Sequence, residues 1–253
     1  MFRRTLLALI SLKVIGIALA CVGEWAAGAV VFFGTDLWVL YNIFVPTAQG
    51  LCPSFIRFET ERAEIWLTLD DGPDPDDTPR ILDLLDAHQA RATFFVIGER
   101  AAAHPELVRE IVRRGHEIGH HTFTHPAGTF WCAGPKRVAA ELDETLRVLQ
   151  PLTPAPRWFR APVGIKNFLL ARALEQRGLH CIDWSLRSGD WLSRRAEKVQ
   201  DNVVRRLKPG IIVLMHEGPS VPAALRVTAV GLVLDALTTR GYRCVIPSAS
   251  QLR

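Results

Sequence analysis

The sequence predicts an α/β fold of about seven parallel strands, closed or nearly closed into a barrel. Three observations predict it. From Ile65 onward, short apolar runs alternate with helix-like stretches. Most of these runs are apolar throughout, not at every second residue, as parallel strands buried on both faces are. Unusual polar residues fall repeatedly where the runs end, which is where a β/α barrel builds its active site.

Ile65-Trp66-Leu67-Thr68-Leu69 reads as the first of these strands; it ends in Asp70-Asp71, and Gly72-Pro73 stops it. Two adjacent carboxylates there repel, so one pKa rises unless a cation or an arginine offsets it. Asp77-Thr78-Pro79 caps a helix to about His88, with Ile81, Leu82, Leu84 and Leu85 on one side. Ala92 to Ile97 is the next strand, and Pro105 opens a helix that Gly115 stops. Pro135 starts a helix to about Leu149, Trp158-Phe159 is a short strand, and Asn167 to Arg177 is a helix ended by Gly178. Leu179 to Trp184 is a strand and Ala196 to Leu207 a helix. Gly210 to Met215 is an almost wholly apolar strand ending in His216. Leu225 to Arg240 is the last helix, and Tyr242 to Ile246 the last strand.

A chain of 253 residues suffices for one large α/β domain or two small ones. The net charge of +4 is modest and its arginines are scattered, so nucleic-acid binding has no footing. Five cysteines, at 21, 52, 132, 181 and 244, form no Cys-x-x-Cys pair. That argues against a disulfide framework and against a cysteine-based zinc ribbon.

Residues 1–50 have a different character. Arg3-Arg4 precedes an apolar run from Thr5 to Gly23, broken by Lys13; a second run from Trp25 to Pro46 is broken by Asp36. A span needs about 20 largely apolar residues, and each run is long enough. Ala18-Leu19-Ala20 mimics a signal-peptide cleavage site, but apolar sequence resumes directly after it. The expectation is a cell (inner) membrane anchor of one or two spans that brings membrane lipid against the N-terminus. One span with its arginines inside places the rest outside the cytoplasm, the side slightly favoured; two spans return it to the cytoplasmic side.

His121-Thr122-Phe123-Thr124-His125 sets two imidazoles four residues apart. If helical, both project from one face and can share an ion. With one carboxylate of Asp70-Asp71 they form a two-histidine, one-carboxylate set with open positions, suited to Zn²⁺, Co²⁺, Ni²⁺, Mn²⁺ or Fe²⁺. Arg160, in Arg160-Ala161-Pro162-Val163-Gly164, can pair with the other carboxylate or lie on a surface loop. Asp190-Trp191 carries little meaning alone, and His216 is either a core histidine or a general acid.

In this order and context the chain resembles the polysaccharide deacetylases, carbohydrate esterase family four, also described as the chitooligosaccharide-deacetylase homology domain. The resemblance rests on Thr68-Leu69-Asp70-Asp71-Gly72, on His121-Thr122-x-x-His125, and on Arg160-x-Pro162-x-Gly164. Asp190-Trp191 matches a fourth motif in part, and Leu214-x-His216 a fifth. It implies a distorted (β/α)₇ barrel as a catalytic domain over 63–247, preceded by the hydrophobic region 1–50. It further implies that Asp71, His121 and His125 bind the metal, Zn²⁺ foremost, and that Asp70 is the general base oriented by Arg160. His216 would be the general acid, tuned by Asp190, with the oxyanion received by the metal and the Val163 backbone. Trp131, Trp184 and Trp191 are candidates to stack on sugar faces, with core packing as the alternative for each. The chain departs from the pattern at His120, at Val163 and at Arg187, which stands where relatives carry an acid.

The expected function is removal of an N-acyl group, foremost acetyl, from an amino sugar of a polysaccharide, peptidoglycan or lipid-linked glycan. The alternatives are a catalytically silent carbohydrate-binding relative at the membrane and a structural membrane protein.

Overall fold

The computed structural model describes residues 2–253; Met1 and the side chains of Phe2 and Arg3 lie outside the described residues. Two long helices come first, α1 (Phe2–Cys21) and α2 (Trp25–Phe44). Their contacts run Ala20 to Gly28, Gly16 to Phe32 and Lys13 to Asp36, so the pair is an antiparallel hairpin. Close approach requires glycine at its crossing: a Cβ on Gly28 would stand 2.6 Å from the Gly16 carbonyl oxygen. The two charges that interrupt the apolar runs meet each other, Lys13 Nζ lying 2.6 Å from Asp36 Oδ2. Outward-facing Leu7, Val14, Ile17, Val30, Phe33 and Leu37 are exposed, and both helices are long and apolar enough to cross a membrane.

The chain then enters the β/α body. After β1 (Ser54–Phe55) come β2 (Glu64–Asp70), α3 (Thr78–Ala87), β3 (Ala92–Val96), α4 (Gly98–Ala103) and α5 (Pro105–Arg113). Next are β4 (Glu117–His120), α6 (Pro135–Leu149), β5 (Trp158–Phe159), α7 (Leu170–Glu175) and β6 (His180–Ile182). The body closes with β7 (Leu186–Arg187), α8 (Ala196–Arg205), β8 (Ile212–His216), α9 (Arg226–Thr239) and β9 (Arg243–Cys244). One nine-stranded sheet runs in the order β1-β6-β5-β4-β3-β2-β8-β7, with β9 also on β2, and every ladder is parallel. Such a sheet is buried on both faces, and all seven residues of β2 are buried. The polar atoms that this requires inside are satisfied: Trp66 Nε1 donates to Thr93 Oγ1 at 2.8 Å, and Thr68 Oγ1 to the Val213 carbonyl at 2.8 Å.

The sheet is a curled half-barrel. Of the closed or nearly closed barrel expected, it is the open form, because β1 and β7, its two ends, pair with no common neighbour. Both are two-residue strands, as is β9, too short to show a periodicity in sequence. Helix α4 is likewise unforeseen, and the helix expected over Asn167 to Arg177 shortens to α7. Asn167 is instead a cap for another loop. Its side-chain amide donates to the carbonyls of Phe130, Trp131 and Ala133.

The hairpin is joined to this body through the arginine-motif loop. The Lys166 backbone N–H donates to the Ile43 carbonyl at 2.9 Å, and the Gly50 N–H to Asn42 Oδ1 at 2.7 Å. Lys166 Nζ, fully buried, donates to the Ala48 carbonyl (2.6 Å) and to Ser54 Oγ (3.0 Å), and lies 3.1 Å from the equally buried Asp183 Oδ2. Burial pushes the Asp183 carboxyl up, and the ammonium works against that shift. A buried charge is tolerated only with such partners.

Candidate active site

The parallel registers bring the motifs together. Asp70, the last residue of β2, is level with His216, the last of β8. Val96 is level with His120 and His120 with Phe159, so His121 and Arg160 leave adjacent strands side by side. One cavity of about 230 Å³ is lined by Asp70, Asp71, His121, His125, Val163, Trp184, Arg187, Trp191 and His216, among others. A larger one, about 480 Å³ beside Cys52 and Cys181, has no comparable set of converging charged groups.

Asp71 Oδ1 lies 3.4 Å from His121 Nε2 and 3.3 Å from His125 Nε2, and these ligand atoms all fall within 4.8 Å of one another. That oxygen is buried and has no hydrogen-bond partner. Burial alone would raise the Asp71 pKa; the neighbouring imidazoles of His121 and His125 outweigh it and hold the carboxyl well below the usual range. His121 Nδ1 sits 2.9 Å from the Arg160 carbonyl, which only accepts, so that nitrogen carries the proton and the Nε2 lone pair faces Asp71. Burial, reinforced by the neighbouring His121, pushes His125 down to about 4 and favours the neutral ring. Three convergent donors, with an otherwise orphaned buried carboxylate oxygen among them, fit a divalent cation.

The helical reading of His121 to His125 does not hold. The segment is a loop after β4, with Thr122 at φ 65° and His125 at φ 52°. The rings meet at 4.9 Å because the loop turns back on itself. Glu141 of α6 builds that turn: Oε2 accepts the N–H groups of Phe123 and Thr124 at 2.9 Å, and Oε1 accepts the Thr124 hydroxyl at 2.6 Å. Sequence reasoning missed Glu141, although a charge on the buried face of α6 beside Val138, Leu142 and Thr145 was a visible signal. His120 points away; its Nε2 meets the Leu142 carbonyl at 3.0 Å and its Nδ1 accepts the Thr122 N–H at 3.0 Å.

Asp70 is bound from behind. Arg160 Nη1 donates to Asp70 Oδ1 and to Thr68 Oγ1, both at 2.7 Å; its other nitrogens donate to the carbonyls of Ile182 and Asp183 at 3.1 Å. The guanidinium is fully buried over the Phe95 ring, so a charge-assisted bond here is strong. Opposite, His216 Nδ1 lies 2.9 Å from Asp190 Oδ1, and Asp190 Oδ2 accepts the His216 backbone N–H at 2.7 Å. Burial would lower the His216 pKa; the charge and hydrogen bond of Asp190, helped by Asp70 and Asp71, raise it to about 9.

The acidic turn has its own support. Glu217 is buried against Gly72, where a Cβ would collide with its carboxylate, and its Oε2 accepts the Thr78 hydroxyl at 2.5 Å. Burial pushes it up to about 8, so it is held neutral behind the turn. Of five non-glycine residues at positive φ among those described, Asp71, Thr122, His125 and Val163 all belong to the motif loops. Backbone strain of this kind persists where the surroundings over-determine it, and it clusters at working sites. Val163 and Trp191 line the cavity, whereas Trp131 does not. Its ring meets Phe44 at 5.8 Å, at the end of α2.

A curled parallel sheet with a His₂-Asp cluster, an Asp–Arg pair and an Asp–His pair at its strand ends has the parts of a metal-assisted hydrolase. Residues 58–182 match the family model described as polysaccharide deacetylase. A chitooligosaccharide deacetylase of Sinorhizobium fredii is 34% identical over 197 residues, covering 74% of this chain and 91% of that relative. A peptidoglycan-N-acetylglucosamine deacetylase of Bacillus cereus is also 34% identical over 198 residues, 77% of this chain and 92% of that one. A solved peptidoglycan N-acetylglucosamine deacetylase, crystallised with 4-naphthalen-1-yl-N-oxidanyl-benzamide, superposes with a TM-score of 0.69 at 34% identity, covering 75% of this chain and 88% of its own. The chain belongs to the polysaccharide deacetylase family, and it is a hydrolase of the N-deacetylase class.

Proposed function

We propose that this chain removes an N-acyl group, foremost acetyl, from an amino sugar at the membrane, with a divalent metal held by Asp71, His121 and His125. The observation that carries the proposal is the buried, unpaired Asp71 oxygen facing two imidazole nitrogens, in the same cavity as Asp70 and His216. Zn²⁺ suits two imidazoles and one carboxylate with positions left open; Co²⁺, Ni²⁺, Mn²⁺ and Fe²⁺ accept the same donors. When bound, such an ion polarises the amide carbonyl and lowers the pKa of water.

The remaining chemistry belongs to side chains. Asp70 takes a proton from the attacking water, and the Arg160 hydrogen bond keeps that carboxylate aimed. The Val163 backbone N–H is assigned to the oxygen that gains charge as the carbonyl becomes tetrahedral. His216, protonated and held by Asp190, delivers a proton to the departing amine. Glu141 holds the histidine loop in place.

Two helix-length apolar runs make the anchor a hairpin that crosses twice, its Lys13–Asp36 pair reducing the cost of charge within the bilayer. The N-terminus and the catalytic body then share one side. For two spans, Arg3 and Arg4 before the hairpin, with Arg57 and Arg62 after it, support the cytoplasmic side, in place of the extracytoplasmic side that a single span favours.

The test is acetate release from N-acetylglucosamine substrates by the full chain in nanodiscs. We expect chelation to abolish release and one equivalent of Zn²⁺ to restore it. Release that survives complete metal removal would refute the metal role. One bound metal with no amide cleaved would support the silent carbohydrate-binding relative instead.

Asp190→Asn tests the acid. With Asp190 neutral, burial is opposed only by more distant charges, so the His216 pKa drops from about 9 toward or below its ordinary 6.5. His216 must be protonated to act, so activity is lost as pH rises through its pKa, and the variant loses it at lower pH. Ring titration by NMR and a pH profile of kcat both read this shift; an unmoved alkaline limb would remove His216 from the acid role.

A further inference from the structure

Arg187 is the unexplained charge in the cavity. It leaves β7 beside β8, level with Leu214, and its guanidinium lies 4.8 Å from the Trp184 ring and 5.9 Å from that of Trp191. Among the described residues no carboxylate pairs with it. Asp70 is taken by Arg160 and Asp190 by His216. A guanidinium held between two indoles, half-buried and unpaired, presents its fork of donors to an anion.

The rim beside it is apolar and open. Val163 is 50% exposed, Trp191 44% and Leu192 70%, on a body whose other exposed large apolar residues lie at Trp131 and in the hairpin. That rim lies next to the membrane end of α2. Pro46, two residues beyond Phe44, packs on Gly164: a Cβ there would stand 2.6 Å from both the Pro46 and the Trp184 side chains. Two residues reach at most about 7 Å, so the loop that carries Val163 lies within a headgroup's depth of the hairpin's end. Tyr41 and Phe44 on α2, and Trp131 against Phe44, extend the same apolar surface. Aromatic residues at that depth belong to the membrane interface.

We propose that the substrate is an amino sugar carried on a lipid phosphate, which enters from the bilayer surface with its phosphate on Arg187 and its N-acyl group at Asp70 and His216. This rests on the deacetylase reading above and narrows its substrate. The lipid chain stays in the bilayer beside Val163, Trp191 and Leu192, and the sugar enters the cavity.

The experiment compares three substrates on the full, zinc-loaded chain in nanodiscs. They are N-acetylglucosamine phosphate on a polyprenol tail, the same sugar phosphate without the tail, and the neutral trisaccharide of N-acetylglucosamine. We expect kcat/KM to fall in that order. Arg187→Ala should raise KM about thirtyfold for the two phosphates, the size of a lost charge-assisted hydrogen bond, and less than about threefold for the trisaccharide. Arg187→Lys should recover part of the loss, and unchanged metal content and circular dichroism establish that the variants are folded. A trisaccharide preferred over both phosphates, or an equal effect of Arg187→Ala on all three, overturns this proposal and leaves the deacetylase reading standing. Equal turnover of the tailed and tail-less phosphates overturns the lipid component. No turnover of any substrate overturns both.

Discussion

Asp70→Asn is expected to keep the metal and to lose turnover by on the order of 10³-fold, within the range that a positioned general base contributes. The substitution preserves shape, so Arg160 can still reach the Asn oxygen from its place beneath it. What disappears is the basic oxygen that accepts a proton from water. Metal content by atomic absorption, measured on the sample whose acetate release is assayed, separates this from damage to the site. Retained activity with retained metal would mean that another group is the base; lost metal would mean that Asp70 is itself a ligand.

His125→Ala is expected to lose both metal and activity. Outer partners of a ligand typically account for about 10- to 100-fold in metal affinity, so removal of one of three donors should exceed that. His125 is the most exposed of the three, its side chain 22% accessible, which makes it the donor whose removal least disturbs packing. Metal titration by calorimetry would show the loss directly. Full occupancy in this variant would refute the ligand assignment.

Both experiments address residues that were legible in the sequence, and the reason is topological. In a parallel sheet all strands point their carboxyl ends one way, so odd polar residues after apolar runs must gather on one side. Asp70, Asp71, His121, Arg160 and His216 stand at or just after such strand ends, and the resemblance of their motifs to the polysaccharide deacetylases supplied their expected roles. The geometry between them was less legible. The spacing of His121 and His125 suits one face of a helix, yet positive φ at Thr122 and His125 produces their meeting, and no periodicity encodes that. Glu141, Glu217 and Lys166 were missed for a different reason. Each is an ordinary charged residue in sequence, and burial against loops far along the chain gives it its role. A closed or nearly closed barrel was expected from a strand count; the two-residue ends β1 and β7 leave it a curled half-barrel.

The Lys166 junction has a mechanical consequence. The ammonium grips Ala48 and Ser54 while its own backbone holds Ile43, and Arg160, six residues earlier, holds Asp70. No slack tether therefore separates anchor from catalytic machinery, and the body cannot swivel like a ball on a string. With the hairpin in the bilayer as proposed, the mouth of the cavity would be carried at a fixed height and tilt above the lipid. Its working radius would then be the lateral diffusion of the whole molecule in the plane of the membrane. A fragment trimmed to begin after Ser54 would be more than an untethered copy, because it would strip Lys166 of two oxygen partners directly beneath the loop that carries Val163.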